Sequence, residues 1–240
     1  MRKEHRPLAI LRLQRWLNQQ YVKRFIVPQF DFIGCDPRVL NPRSLKLFGY
    51  RISAGNHLHL ISGKNKPITL TTWTSKQEQG SITLADYCLI SPGVTLTSAV
   101  SITIDSNCMI GAETYISDSD WHGVYNRTRP FRCSSPVHLK KNVWLGYRSI
   151  ICKGATIGEN SIIGAGSVVV SDIPDNVIAA GNPAKVVKTI NPVRRMLTRE
   201  FLFSGGVDYW ENQKMLDKFL FSGNSFTDWG RSGFFPTTED

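Results

Sequence analysis

The stretch VHLKKNVWLGYRSIICKGATIGENSIIGAGSVVV, residues 137–170, decides the fold because it places an aliphatic side chain at every sixth position. These side chains belong to Leu139, Leu145, Ile151, Ile157, Ile163 and Val169. A period of six does not keep side chains on one side of an α-helix, whose turn holds about 3.6 residues. Short strands separated by bends satisfy the period, with one aliphatic side chain per repeat pointing inward. The pattern therefore predicts an all-β solenoid.

The same six-residue spacing occurs earlier in the chain, in two runs. The first run is Leu84, Ile90 and Leu96, and the second is Ile104, Ile110 and Ile116. The step of eight between the runs predicts a small bulge or a two-residue loop. With fainter traces at Ile52 and Leu58, the spacing predicts a β-helix domain over residues 45–190.

The segments on either side of this domain are predicted to be helical, since a stacked array needs covers at its ends. Residues 7–27 combine apolar and basic side chains in the manner of a basic amphipathic helix, which Pro28 ends. We therefore divide the chain into an N-terminal helix with its lead-in (1–44), the solenoid (45–190), and a C-terminal helical extension with an aromatic, glycine-rich tail (191–240). The N-terminal helix fits a cap on the solenoid, a peripheral contact with a membrane surface, or both.

Composition restricts the class of protein. The 240 residues carry a formal net charge of +10, and residues 121–158 hold seven basic side chains and no acidic one. This local surplus predicts an anionic ligand, whereas no nucleic-acid recognition motif accompanies the charge. The five cysteines form no CxxC pair, which indicates free thiols in a reducing cytoplasm. The apolar stretch that begins at Leu8 is interrupted by Arg12 and Arg15, so we expect no membrane-spanning segment.

The six-residue pattern stops between Ile116 and Leu139, which are 23 positions apart. A loop near residues 118–136 must therefore leave the solenoid and return. Loops on a rigid scaffold often carry catalytic groups, and this loop contains His122. Asp118 and Asp120 precede it, and a carboxylate bonded to one ring nitrogen would fix the tautomer of the imidazole. At least one of the two aspartates is expected to hold a turn instead.

The segment VHLKKNVWLGYRSIICKGATIGENSIIGAGSVVVSDIPDNVIAAGNPAKVV, residues 137–187, resembles the C-terminal signature of the hexapeptide-repeat acyltransferases. It is most similar to the galactoside, maltose and nodulation types of O-acetyltransferase. The resemblance implies a left-handed parallel β-helix of triangular section with helical additions, a homotrimer, and acetyl-CoA bound between neighbouring subunits. It implies no metal ion.

The resemblance also assigns roles to individual residues. His122 takes the place of the family's general base, with Asp120 as its catalytic neighbour. The positions that match the family's coenzyme A contacts are Trp144, Tyr147, Ala165, Lys185 and Lys188. Val170 and Ser171 replace a usual Thr-Lys pair, so we expect one phosphate contact to be lost or supplied by Lys153 or Arg148.

The sequence thus predicts a cytoplasmic enzyme that moves an acetyl group from acetyl-CoA to a hydroxyl of a saccharide, in the modification of capsule, O-antigen or exopolysaccharide. Three alternatives stay open. One is acetylation of a small-molecule or antibiotic acceptor, or N-acetylation of an amino sugar. The others are a metal-dependent lyase, which would need three converging histidines, and a solenoid without enzymatic activity.

Overall fold

A computed structural model describes residues 4–74, 79–128, 133–204, 209–235 and 237–238. The chain divides into two compact units. The larger comprises Val22–Arg199, and the smaller joins Met1–Tyr21 to Glu200–Asp240.

The larger unit is a solenoid in which the chain adds one short strand to each of three sheets in turn. The first three coils contain β1 (Phe32–Ile33), β2 (Arg38–Leu40), β3 (Lys46–Phe48), β4 (Ile52–Ala54), β5 (His59–Ile61), β6 (Thr69–Thr72), β7 (Ile82–Leu84), β8 (Leu89–Ile90) and β9 (Thr95–Ser98). The next three contain β10 (Ile102–Ile104), β11 (Met109–Ile110), β12 (Tyr115–Ser117), β13 (Val137–Leu139), β14 (Trp144–Leu145), β15 (Ile150–Ile151), β16 (Thr156–Ile157), β17 (Ile162–Ile163) and β18 (Val168–Val169). The chain then forms β19 (Val177–Ala180) and β20 (Lys185–Thr189), which pair antiparallel and close the second sheet.

Register explains the six-residue spacing. Three repeats complete one coil, so aliphatic residues 18 positions apart lie on top of one another. Leu139 pairs with Ile157 in the first sheet, Leu145 with Ile163 in the second, and Ile151 with Val169 in the third. All six side chains are fully buried, and each covers apolar area that a single coil would leave in water. The predicted solenoid, a left-handed parallel β-helix, is confirmed.

The corner between the first and second sheets is built from residues with positive φ. Asn107, Asn142, Asn160 and Asn176 occupy it in four successive coils, with φ between 56° and 67°. Asparagine tolerates this left-handed conformation better than most residues do. The Nδ2 of Asn142 donates to Oδ1 of Asn160 at 2.9 Å, and Nδ2 of Asn160 donates to Oδ1 of Asn176 at 3.1 Å. The same residues thus turn the chain and join the coils.

The corners on either side of the third sheet stack into two edges of the solenoid. The loop edge is the corner where the chain passes from the third sheet to the first, and its described residues include 49–51, 73–74, 79–81, 99–101, 118–128 and 133–136. The cofactor edge is the corner from the second sheet to the third, and it includes residues 111–114, 146–149 and 164–167. These two edges bound the third sheet on opposite sides.

The solenoid starts earlier along the chain than residue 45, where the sequence pattern places its beginning. Phe32 already pairs with Ser53, and Arg38 with His59, in parallel register. The first coils lack the regular spacing because their corners differ in length. The predicted two-residue insertion between Leu96 and Ile104 is found at the loop edge, at residues 99–101.

Within its described residues the smaller unit has three α-helices: α1 (Leu8–Tyr21), α2 (Tyr209–Phe221) and α3 (Phe226–Phe234). The guanidinium of Arg15 on α1 pairs with the carboxylate of Asp217 on α2. The glycine-rich tail was expected to follow the helices but itself forms α3, because the hydroxyl of Ser225 caps it by accepting from the backbone N–H of Asp228 at 3.0 Å. In the described part of the chain, every helix is too short or too polar to cross a bilayer.

Candidate active site

The ejected loop leaves the loop edge between β12 and β13 through a narrow neck. Ser119 and Ser134 form an antiparallel bridge across the neck. The backbone N–H of Asp120 donates to the carbonyl of Cys133 at 3.0 Å, and that of Ser135 donates to the carbonyl of Asp118 at 2.8 Å. Two strand-like segments thus fix where the loop departs, and the predicted interruption of the repeat is found here.

His122 lies exposed on this loop, and its orientation defines its chemistry. The Nδ1 atom is 2.9 Å from the carbonyl oxygen of Arg127. Since a carbonyl oxygen can only accept, Nδ1 carries the hydrogen and donates it. The other nitrogen, Nε2, then has a lone pair with which to accept a proton. A histidine held in this tautomer can act as a general base.

Asp120 does not orient His122. Its carboxylate lies 2.5 Å from Nζ of Lys153, which belongs to the next coil on the same edge. The group that fixes the imidazole is the carbonyl of Arg127, where the sequence suggested a carboxylate. Asp120 instead ties the ejected loop to the solenoid.

Asp118 is the turn-holding aspartate, and it is fully buried. Its Oδ2 accepts from the hydroxyl of Ser98 at 2.7 Å and from the N–H groups of Val100 at 2.9 Å and Ser101 at 2.6 Å. Its Oδ1 accepts from the N–H of Ala99 at 2.7 Å. One carboxylate therefore satisfies the inserted corner of the preceding coil, whose N–H groups would otherwise be buried without acceptors.

The five positions predicted to contact coenzyme A share one part of the surface. Trp144 is 48% exposed on the second sheet, and Tyr147 is 43% exposed at the cofactor edge. Ala165 is exposed at the same edge, one coil further along. Lys185 and Lys188 are exposed on β20, which extends the second sheet. The solenoid therefore brings all five to the second sheet and its adjoining edge.

Packing between coils at the cofactor edge requires a glycine. A Cβ atom on Gly146 would lie 2.6 Å from the backbone nitrogen of Ala165, so only glycine fits between these coils. Gly146 and the exposed Ala165 therefore place little side-chain bulk at this edge.

The two basic residues considered as substitutes for the missing phosphate contact are both paired. Lys153 binds Asp120. The Nε of Arg148 donates to Glu113 at 2.6 Å, and its guanidinium lies 5.0 Å from the centre of the Tyr147 ring. Hydrogen bonds from Lys66 and Arg148 lower the pKa of Glu113 to about 2, so this carboxylate stays charged at neutral pH. Either cation would have to leave its partner to bind a phosphate.

Other titratable groups of the solenoid are unsuited to catalysis. Burial lowers the pKa of His59 to about 4, and it raises the pKa of the Cys88 thiol to about 12. Both groups are therefore neutral near pH 7, and Cys88 packs in the core as the sequence indicated. Cys35, Asp36 and His57 bring one possible metal-ligand atom each within 4.8 Å of one another. This trio contains a single histidine, and His122 belongs to no comparable group among the described residues.

Part of this chain is similar to a known protein family. Residues 136–171 match the model of the bacterial transferase hexapeptide family, which consists of six repeats.

Similarity to curated proteins covers a longer stretch of the chain. The chain is 40% identical over 100 residues to a galactoside O-acetyltransferase from Escherichia coli, a match that covers 41% of this chain and 49% of the relative. It is 41% identical over 100 residues to a galactoside O-acetyltransferase from Lactococcus lactis, covering 41% of this chain and 48% of the relative. The chain thus spans about half the length of these curated relatives.

A solved structure with the same fold extends beyond the hexapeptide segment. AntD, an N-acyltransferase from Bacillus cereus in complex with dTDP and 3-hydroxybutyryl-CoA, superposes with a TM-score of 0.57. The match covers 82% of this chain and 95% of AntD at 21% identity. At this identity the likeness concerns the β-helix alone.

Substitution of Asp118 tests the support of the loop. Asp118→Asn removes the charge and presents an NH₂ group to backbone donors, so we expect the free energy of unfolding to fall by about 1–3 kcal/mol. Urea denaturation measures the change. The matched control is Asp172→Asn, because exposed Asp172 accepts a single bond, from the N–H of Thr156, which an amide oxygen can replace. Equal losses in the two variants would contradict the assigned role of Asp118.

Proposed function

We propose that this protein is an acetyltransferase that moves an acetyl group from acetyl-CoA to a hydroxyl of a saccharide. The observation that carries the proposal is the 2.9 Å contact of His122 Nδ1 with the carbonyl oxygen of Arg127, which leaves Nε2 as the basic nitrogen, on a loop of a β-helix whose repeats match the model of a transferase family. The similarity to galactoside O-acetyltransferases supports the choice of donor and acceptor. We place the activity in the cytoplasm and its product in capsule, O-antigen or exopolysaccharide.

The residues of this chain suffice for the proton transfers of such a reaction. Acetyl-CoA supplies the acyl group already activated as a thioester. Nε2 of His122 takes the proton of the acceptor hydroxyl while the oxygen of that hydroxyl bonds to the acyl carbon of acetyl-CoA. The carbonyl oxygen of Arg127 stabilises the resulting imidazolium because it continues to accept the hydrogen bond from Nδ1. The carbon–sulfur bond breaks, and His122 returns the proton to the departing sulfur, so no covalent bond to the enzyme is needed.

The surface around the cofactor edge fits the donor. Coenzyme A combines a long thin arm with phosphate groups at one end. We assign the arm to a donor strip along the small residues Gly146 and Ala165; Trp144 has an exposed ring on the adjoining sheet, and Lys185 with Lys188 can bind the phosphates. We assign these residues and Tyr147 to the donor site.

The proposed donor site and His122 lie on different edges of one solenoid, which favours a site shared by two copies. His122 projects from the loop edge, whereas Tyr147 and Ala165 lie at the cofactor edge across the third sheet. We propose a homotrimer in which the ejected loop of one protomer faces the cofactor edge of the next. Such a cyclic arrangement forms three equivalent sites.

The role of His122 is tested by removing its imidazole. In His122→Ala, turnover is expected to fall by about 10²–10⁴-fold, the usual contribution of general-base catalysis. Release of free thiol from acetyl-CoA in the presence of a galactoside measures turnover, and calorimetric titration shows whether coenzyme A still binds. Asp120→Asn is expected to reduce turnover much less, because Asp120 holds Lys153 and not the imidazole. Turnover near the wild-type value in His122→Ala would refute the assignment.

Mixing two inactive variants tests the shared site. His122→Ala lacks the base, and Ala165→Arg fills the donor strip with a large side chain. If each site combines two protomers, randomly mixed trimers should restore about one site in four. The control pairs His122→Ala with the double variant His122→Ala/Ala165→Arg, in which no site can be complete. Activity no higher in the test mixture than in this control would show that the site lies within one protomer.

We also propose that α1 brings the protein to the surface of an anionic membrane, where a lipid-linked saccharide would be presented. Leu13, Trp16 and Leu17 of α1 are each about half exposed, and Arg12 lies beside them in sequence. The intact protein should float with vesicles that contain phosphatidylglycerol but not with vesicles of phosphatidylcholine alone, and Trp16→Glu should abolish flotation. Equal behaviour of wild type and Trp16→Glu would overturn this part of the proposal.

A further inference from the structure

Four aromatic residues follow the loop edge between the start of the solenoid and His122. We call Phe48, Tyr50, Trp73 and Trp121 the aromatic strip. Phe48, Tyr50 and Trp73 are 62%, 77% and 51% exposed, although side chains of this size are usually buried in a folded domain. Each member stands at the end of a strand of the third sheet or in the corner that follows it. The strip is therefore a continuous exposed surface on the same edge as the catalytic loop.

Three of the four rings, those of Phe48, Trp73 and Trp121, contact one another along the edge. The centroids of Phe48 and Trp73 are 5.7 Å apart with the planes tilted by 53°, and those of Trp73 and Trp121 are 6.1 Å apart at 65°. Tilted rings do not form one flat platform for an extended planar ligand. They offer separate faces at a spacing close to the length of one pyranose unit.

Trp121 reaches Trp73 across an intervening coil. Neighbouring strands of a sheet are about 4.8 Å apart, so side chains two coils apart meet only if the coil between them is small at that point. That coil contributes Ser98 and Ala99. The hydroxyl of Ser98 and the backbone N–H of Ala99 both donate hydrogen bonds to the buried carboxylate of Asp118. These hydrogen bonds hold the small residues close to Asp118 and leave space in which the rings of Trp73 and Trp121 meet.

Trp121 adopts a backbone conformation that is unfavourable for its residue type. Its φ is +66°, in the left-handed region that large side chains avoid. A hydrogen bond from its N–H to the hydroxyl of Ser119, at 3.0 Å, holds this geometry. The neck of the loop thus fixes the indole at the strip, one residue before His122.

At its other end the strip meets a cleft of about 350 Å³. Tyr50 belongs to both, and Pro28, Phe30 and Leu47 supply apolar walls. Gly49 also lines the cleft, and its corner admits only glycine, because its φ is +94° and a Cβ atom there would lie 2.2 Å from the carbonyl oxygen of Thr72. Strip and cleft together extend from the catalytic loop to the beginning of the solenoid.

We propose that the aromatic strip is the acceptor-binding surface of this protein and that it binds a saccharide chain of several units. This inference rests on the proposed function and specifies its acceptor as an oligosaccharide. The apolar C–H faces of successive sugar rings pack on Trp121, Trp73 and Phe48, while indole N–H and phenol O–H groups are available to the hydroxyls. The unit nearest Trp121 presents its hydroxyl to His122, and the distal end enters the cleft.

The experiment compares Trp73→Ala with Phe32→Ala. Phe32 is a matched control, since it is 63% exposed, much as Phe48 is, but lies on the first sheet and lines neither the strip nor the cleft. Binding of galacto-oligosaccharides from one to six units is measured by calorimetric titration without acetyl-CoA. Acetyl transfer to the same series is measured by thiol release, and sedimentation velocity reports the oligomeric state of each variant.

For the wild type we expect affinity to rise with chain length. Trp73→Ala should weaken binding of the six-unit saccharide and raise its KM by about fivefold to tenfold, as loss of one aromatic contact would. It should leave kcat, the KM for acetyl-CoA and affinity for the monosaccharide unchanged. Phe32→Ala should match the wild type in every measurement.

The two proposals fail in different ways. Binding that depends on Trp73 without any acetyl transfer would uphold the strip and refute the proposed activity. Acetyl transfer with the same KM in Trp73→Ala as in the wild type would uphold the activity and overturn the strip. An altered sedimentation coefficient with unchanged saccharide binding would assign the strip to contact between copies of this chain and would likewise overturn the proposal.

Discussion

Hydrogen bonding between successive coils is the constraint on which the rest of this protein depends. The β-strands of the described chain are two to five residues long, so their backbone groups find partners chiefly on the coils before and after. Corner residues follow the same rule, as when the N–H of Asp105 donates to the carbonyl of Leu139 at 2.9 Å. Any departure from the stack therefore removes partners from two coils, and a loop can be inserted only where other groups replace them.

The ejected loop shows how that requirement is met. Asp118 supplies acceptors to the corner of the preceding coil, and Asp120 pairs with Lys153 of the following coil. The loop is thus joined to both of its neighbours although its middle part leaves the solenoid. A side chain on such a loop has a defined position relative to the stack, which is what proton transfer to or from a bound molecule requires.

Sequence predicted the regular part of the fold well. Each inward position needs an aliphatic side chain, so the positions of the repeats are visible as a regular spacing in the sequence. It did not locate the first coils, where corners of unequal length hide the spacing, or α3, whose glycines suggest a tail. Around His122 it suggested a carboxylate as the orienting partner, but the partner is the carbonyl of Arg127. Every residue has a backbone carbonyl, so the sequence could not identify this one. Trp73 was overlooked as well, although Tyr50 and Trp73 both follow strands of the third sheet and could have suggested a shared edge.

The constant rise of the solenoid has an evolutionary consequence for any surface that runs along an edge. Each coil adds about 4.8 Å to the molecule and carries its own pairing groups, so whole coils can be duplicated or lost without redesign of those that remain. The asparagines at the corner between the first and second sheets assist this modularity, since each side-chain amide can donate from Nδ2 or accept at Oδ1 toward the neighbouring coil. Homologues could therefore lengthen or shorten the distance from the catalytic loop to the end of the stack in discrete increments while the reacting groups stay unaltered.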